Sequence, residues 1–337
     1  MRQYQRLIGV SLGVQTTDEA LAALEQVAAQ ADIAELRLDF MADYDLPRLL
    51  ADRPCPVIVT NRPRREGGRF AGSDEERVRP LLQAIDLGAE FVDIEHDSIS
   101  LMPAERGNTQ LVVSFHDFQA TPPTLPRIAA DLQEQGADVV KVVGMAQGAA
   151  DNRRVFDVFR QATVPTIAIC MGEAGLPSRV LALRSDRCLL TYATLGTGEQ
   201  VAPGQLLVAA MREVYAAASI GPQTSAIGLV SATLPADTAI GQMNRTLREH
   251  QRDAVVVPFI LPQDADSAAL LPAYADRAYG LAAWLILPPH QEALARPGAL
   301  DRLDSSVSAG GAVNLVIPGE DGLVGLWMPQ PLSVLLG

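Results

Sequence analysis

Between residues 7 and 191 the chain carries eight short apolar runs, most of them separated by stretches with helical spacing. The runs are Leu7–Leu12, Ile33–Leu38, Val57–Thr60, Phe91–Glu95, Leu111–Phe115, Ala137–Met145, Thr166–Met171 and Cys188–Thr191. Most are apolar at consecutive positions, as parallel strands covered on both faces must be. Helices are expected at Asp18–Gln30 (capped by Thr17 or Asp18), Glu75–Leu87, Pro126–Gln135, Asn152–Gln161, Pro177–Arg184 and Gly204–Ala218. Eight strands alternating with helices predict an α/β chain built on a (β/α)₈ TIM barrel. The competing doubly wound sheet would carry G-x-G-x-x-G after its first strand, and none is present.

Residues 220–224 read as a Gly/Pro/Ser linker. Residues 225–337 then restart with apolar runs at Ala226–Val230, Ala254–Ile260, Ala282–Leu287 and Ala312–Ile317 and a helix at Ala239–Gln251. They predict a second, smaller α/β domain of roughly 110 residues, large enough to fold alone. No internal repeat or low-complexity tract is evident.

The net charge of −13 argues against nucleic acid and anionic membranes as partners, although a local arginine cluster can still hold a small anion. Cys55, Cys170 and Cys188 show no C-x-x-C spacing, and two lie in or beside apolar runs, as reduced thiols in a reducing compartment do. The stretch Met1–Arg6 leads into a short strand-like run and not a signal segment, and no apolar run is long enough to cross a membrane. A cytoplasmic protein is expected.

Lys141 is the only lysine in the chain and is flanked by valines within a strand-like run. Burial of an ammonium is unfavourable and lowers its pKa, giving the neutral amine that a carbonyl substrate needs for Schiff-base formation. The plain alternative is an edge-strand lysine that blocks aggregation. In a barrel, catalytic groups sit at the C-terminal strand ends. There the sequence offers Glu35 and Arg37, Arg62 and Glu66, Ser114-Phe115-His116-Asp117, Lys141, Arg179, and Ala202-Pro203-Gly204-Gln205. Each also has a structural reading. Glu35 and Arg37 can be an ion pair, Arg62 part of a solvated loop with Arg64, Arg65 and Arg69, and His116 a core histidine. Arg179 and Gln205 can be surface residues. His96 has no partner by spacing and is set aside.

Together the groups describe one chemistry. A lysine imine acidifies the neighbouring C–H, a histidine removes that proton, Glu66 orients the histidine, and arginines hold a carboxylate. On chemistry alone, a dehydratase and a class I lysine aldolase both remain open. No metal is called for, because no cluster has ligand spacing and the imine is its own electron sink.

Residues 1–219 resemble type I 3-dehydroquinate dehydratase, the Schiff-base enzyme of the shikimate pathway. The matching segments are Glu35-Leu-Arg37-Leu-Asp39, Thr60-Asn-Arg62 with Glu66-Gly-Gly68, Ser114-Phe-His116-Asp-Phe118, Val140-Lys141-Val142, Met171-Gly172 with Ser178-Arg179, and Ala202-Pro-Gly-Gln205. The resemblance implies that Lys141 forms the imine with 3-dehydroquinate. His116, supported by Glu66, would move the protons, and Arg179 would bind the carboxylate. Glu35, Arg37, Arg62 and Gln205 would hold hydroxyls and close the site, with Ala202–Gln205 as lid and no cofactor. Val201 departs from the serine common in the family.

Residues 224–337 resemble a degenerate substrate-binding half of shikimate dehydrogenase, through Ala226-Ile-Gly228, Met243-Asn244, Val257-Pro-Phe259, Pro289-His290-Gln291-Glu292 and Gly311-Ala-Val-Asn314. Gln291 stands at the family's catalytic lysine position, and Trp327-Met328-Pro329 replaces its Asn-Thr-Asp. No nicotinamide-binding domain is expected after Gly337, and this half is expected to be catalytically inactive. It would serve homodimerisation, cover the barrel mouth or sense a metabolite. A non-catalytic metabolite-binding regulator is the alternative from another functional class.

Overall fold

The computed structural model describes residues 5–336 apart from 52, 198–200, 275, 277 and 278. Residues 1–4, part of the stretch argued above to lack a signal segment, lie outside the described residues. The barrel strands are β1 (Leu7–Leu12), β2 (Ile33–Arg37), β3 (Val57–Thr60), β4 (Phe91–Glu95), β5 (Gln110–Asp117), β6 (Val139–Met145), β7 (Thr166–Met171) and β8 (Leu190–Thr194). A two-residue β9 (Leu206–Leu207) extends β8. Among the described residues the sheet order is β7-β6-β5-β4-β3-β2-β1-β8-β9, all parallel. Closure between β7 and β8 comes from Thr166 N–H donating to the Arg187 carbonyl (2.7 Å) and Leu189 N–H donating to the Thr166 carbonyl (2.9 Å). Cys188 and Leu189, expected inside the eighth strand, therefore form its closing bridge, and the strand itself starts at Leu190.

Period-2 alternation explains why these strands are apolar on both sides. Ala34, Leu36, Val57, Val92, Val140 and Ala168 pack in one core with Leu24, Val27, Leu81, Leu132 and Val155 of the surrounding helices. Ile33, Ile58, Phe91, Val112, Val139, Ile167 and Leu190 form a separate cluster that plugs the barrel interior. Two residues further along the same strands, the interior positions become Glu35, Thr60, Asp93, Ser114, Lys141, Ile169 and Tyr192. An apolar plug at the N-terminal end thus supports a charged layer at the C-terminal end.

The helices are α1 (Thr17–Gln30), α2 (Leu46–Leu50), α3 (Asp74–Asp86), α4 (Leu125–Glu134), α5 (Asn152–Gln161), α6 (Leu176–Leu181) and α7 (Asp237–Glu249). The cap of α1 is Thr16, whose hydroxyl accepts from Glu19 N–H, and not Thr17 or Asp18. Ser73 and Glu76 form a reciprocal capping box on α3. The helix expected over Gly204–Ala218 is replaced by β9, a π-helical turn at Ala210–Val214 and a 3₁₀ turn at Ala217–Ser219. Pairing of Leu206 with β8 fixes the start of this segment as extended, and Ala216 at φ 51° interrupts it.

A second sheet contains β10 (Ser225–Ser231), β11 (Ala254–Ile260), β12 (Leu281–Ile286), β13 (Arg302–Leu303), β14 (Leu315–Gly319) and β15 (Gly322–Leu326). Its order is β11-β10-β12-β14-β15-β13, with β10–β12 parallel and β14–β15 an antiparallel hairpin. One face packs on Leu247 and Met243 of α7 and on Leu332 and Leu335 near the chain end. On the other face β11 packs against α6, and Phe259 and Trp284 meet Tyr274 edge-on at ring-centroid distances of 5.3 and 5.7 Å.

Candidate active site

Lys141 lies in the middle of β6 with 3% of its surface exposed. Its ammonium donates to Glu35 Oε1 (3.0 Å), Asp93 Oδ2 (2.9 Å) and the Tyr192 hydroxyl (3.2 Å). Burial alone pulls the lysine pKa down, as its valine flanks suggested, but Asp93 and Glu35 outweigh burial and raise it above the ordinary value. The expectation of a resting neutral amine is therefore overturned: the resting group is an ammonium. In return, Glu35 is held down to about 2: burial opposes ionisation, but Lys141 and then Arg37 prevail. Asp93 is lowered against burial by Arg62 and Lys141.

Asp93 escaped sequence reasoning, although its signal was present. It alternates with Glu95 in an otherwise apolar strand, the same pattern that drew attention to Glu35 and Arg37. Those two residues do not pair with each other. Arg37 holds Asp39 through two 2.8 Å bonds and lies 4.8 Å from the Phe40 ring centroid.

The basic cluster also divides. Arg62 is buried, donating to Asp93 (2.7 Å), Glu95 (2.5 Å) and Ser114 (2.6 Å). The Ser114 hydroxyl in turn donates to Asp93 at 2.6 Å, and the other Glu95 oxygen meets Arg77. Arg65 pairs with Asp97, and Arg69 stacks over Phe40. Only Arg62 of the cluster reaches the barrel interior.

His116 Nδ1 lies 2.9 Å from Glu66 Oε2. Burial, with Arg62 and Lys141 nearby, holds the imidazole well below its ordinary pKa of 6.5. Burial pushes Glu66 up to about 8, against the pull of Arg62 and helped by Glu95 and Asp93. The pair therefore consists of a neutral imidazole against a carboxyl group that holds its proton near neutral pH. His96, set aside from sequence, stands 3.6 Å from the other Glu66 oxygen.

Arg179, on α6, is 1% exposed and has no carboxylate partner among the described residues. Nη2 donates to the Pro203 carbonyl at 3.0 Å, and Nε is buried without a partner. Burial draws its pKa down to about 10, which leaves it charged at neutral pH. Gly172 N–H donates to the same Pro203 carbonyl at 3.2 Å. Gly204 has φ 72°, and a Cβ there would collide with the Gly172 backbone, so the Ala202–Gln205 segment sits flush on the end of β7.

Glu35, Arg37, Arg62, Glu66, His116, Lys141, Arg179 and Gln205 all line one cleft, whose volume with its open mouth is ≈ 540 Å³. Val201 also faces it, placing an apolar group where the resemblance leads one to look for a hydroxyl. Tyr192, Met171, Ile169 and Val143 add to the wall; their strands read simply as apolar in sequence. Among the described residues no His, Cys, Asp or Glu cluster could hold a metal ion.

The model of the type I 3-dehydroquinase family matches residues 8–222. This chain belongs to that family. It is 36% identical over 225 residues to 3-dehydroquinate dehydratase of Desulfotalea psychrophila, an alignment covering 63% of this chain and 98% of that protein. It is 31% identical over 298 residues to the chloroplastic bifunctional 3-dehydroquinate dehydratase/shikimate dehydrogenase of Arabidopsis thaliana. That alignment covers 85% of this chain, reaching into the second sheet, but this chain spans only 48% of the plant protein. The structure of the dehydroquinate dehydratase and shikimate dehydrogenase from S. pombe shares the fold, with a TM-score of 0.53 and 22% identity over 96% of this chain and 64% of that one. The second unit is thus shikimate dehydrogenase-like.

Proposed function

We propose that this chain dehydrates 3-dehydroquinate to 3-dehydroshikimate through a Schiff base on Lys141. The observation that carries this reading is the placement of the lone lysine. It is buried between two carboxylates, in the same cleft as the His116–Glu66 pair and an arginine without a carboxylate partner among the described residues.

The ammonium state is compatible with imine chemistry because the overall step balances. An ammonium and a ketone give a protonated imine and water with no change of charge. Glu35 and Asp93 therefore stabilise the resting lysine and the iminium alike, and keep the iminium protonated as an electron sink. With Nδ1 donating to Glu66, His116 Nε2 removes the proton from the carbon beside the iminium. The resulting enamine expels the β-hydroxyl, and His116 returns its proton so that the group leaves as water. Hydrolysis then releases the enone and restores Lys141.

In this reading Arg179 binds the substrate carboxylate, and the docked lid carrying Gln205 excludes water. Glu35, Arg37 and Arg62 hold hydroxyls, Arg62 doing so while neutralising Asp93 and Glu95. Residues 1–219 form the catalytic unit, 220–224 the linker, and 225–337 a unit without dehydrogenase chemistry. Buried free thiols at Cys55, Cys170 and Cys188 support a cytoplasmic setting.

The test is borohydride reduction during turnover of 3-dehydroquinate. The intact chain should gain a stable adduct mass and produce enone absorbance, and Lys141→Ala should show neither. An adduct on Lys141→Ala would refute the mechanism, since no other lysine exists in the chain.

A further inference from the structure

Iminium formation requires two protons to leave Nζ and reach the departing ketone oxygen. Glu35 and Asp93 are poor carriers, because the surrounding cations hold both firmly as carboxylates. His116 is tied through Nδ1 to Glu66 and serves the substrate carbon. Tyr192 is placed differently. It lies on β8 with 6% of its surface exposed, its ring centroid 4.9 Å from Nζ. Its hydroxyl accepts from Nζ at 3.2 Å, and its own proton has no acceptor among the described residues although the side chain lines the cleft.

We propose that Tyr192 is a catalytic residue that relays protons between Lys141 Nζ and the substrate's carbonyl oxygen. This rests on the Schiff-base reading above. In the first passage an Nζ proton moves to the phenol as the phenol proton moves to the ketone oxygen. The freed nitrogen pair then forms the N–C bond as the C–O π bond breaks, giving an N-protonated carbinolamine. In the second passage another Nζ proton reaches the carbinolamine hydroxyl by the same route. The C–O bond breaks, water leaves, and the C=N bond forms. The phenol ends each passage neutral, which suits a group beside two carboxylates; burial, Glu35 and Asp93 all oppose its ionisation. The same path run backwards hydrolyses the product imine.

Tyr192→Phe removes the hydroxyl and keeps the ring beneath Nζ. The expected result is a fall of roughly 10²–10⁴-fold in the single-turnover rate of borohydride-trappable adduct. The isotope effect on kcat from substrate deuterated at the abstracted position should also collapse towards one, because imine steps become limiting. An unchanged adduct rate or an unchanged isotope effect would overturn the relay, since a packing role moves neither. The intact chain supplies an independent reading that needs no variant. Two protons move together in each passage, so its adduct rate should fall along a curve as D₂O replaces H₂O, and a straight line would also overturn the relay. If the intact chain forms no adduct, the Schiff-base reading itself fails; adduct formation at equal rates in both proteins removes only the relay.

Discussion

Arg179 has no carboxylate partner among the described residues and burial keeps Glu66 protonated beside Arg62, and those two carry the sharpest residue-scale predictions. Glu66 is raised from 4.5 to about 8, so in that window the folded chain holds a proton that the unfolded chain releases. Its contribution to stability is complete below about pH 4.5 and is lost as pH rises through about 8. Glu66→Gln abolishes that loss. In urea titrations at pH 5, 7 and 9, the intact chain should lose stability relative to the variant by roughly 1.4 kcal/mol per pH unit within the window. A constant difference across pH would refute the raised carboxyl. The variant should also lose at least tenfold in kcat above about pH 8, where the intact chain sets a carboxylate against the imidazolium and the amide has no charge to offer. Val201→Ser should lower KM a few-fold with kcat unchanged, by adding one hydroxyl to the cleft wall. At this scale Lys141, His116 and Arg179 were legible because a charged or basic residue beside a strand end is rare. Tyr192 was not, since an aromatic in a barrel strand reads equally well as core. The state of Lys141 was misread because its valine neighbours are adjacent in sequence, whereas Asp93, which decides its charge, is reached only through the barrel register.

The barrel strands were legible because burial on both faces writes continuous apolar runs, a pattern that survives without knowledge of the partners. The elements that shape the lid were not. Amphipathic spacing over Gly204–Ala218 suggested one helix, yet the segment obeys β-pairing at Leu206 and the close approach of Gly204 to Gly172, both long-range contacts. The five-residue α2 was likewise absent from the sequence reading; one turn has too little periodicity to register. The lid's role makes Gly204→Ala informative. The new Cβ would meet the Gly172 backbone at a residue already at φ 72°, so the lid should lift and release the Pro203 carbonyl from Arg179. The expected outcome is a rise in KM of about tenfold or more with a smaller fall in kcat, because positioning is lost while the imine machinery stays. A fall confined to kcat would show that the lid acts on chemistry instead.

The two units are joined through the groups that hold the catalytic face together. The Tyr274 hydroxyl, in the second unit, donates to the Ala149 carbonyl at 2.6 Å. Asn152 donates to the same carbonyl (2.8 Å) and to that of Ala174 (2.8 Å), and accepts from Ser178 N–H at 3.0 Å. Ser178 precedes Arg179, so one chain of hydrogen bonds runs from the second unit to that arginine. Arg184 adds a second tie, donating to the Thr224 and Tyr279 carbonyls at 2.6 and 2.7 Å. These bonds predict that the second unit braces the barrel. Cooperative unfolding follows. Both tryptophans, Trp284 and Trp327, lie in the second unit, so their fluorescence reports it alone, whereas turnover reports the barrel. In urea the two signals should fall together in one transition. Tyr274→Phe should shift both midpoints equally, by about 1 kcal/mol for the lost hydrogen bond, and should raise KM more than it lowers kcat. Fluorescence falling before activity would mean that the barrel stands without its brace, and Arg179 would then owe its position to the barrel alone.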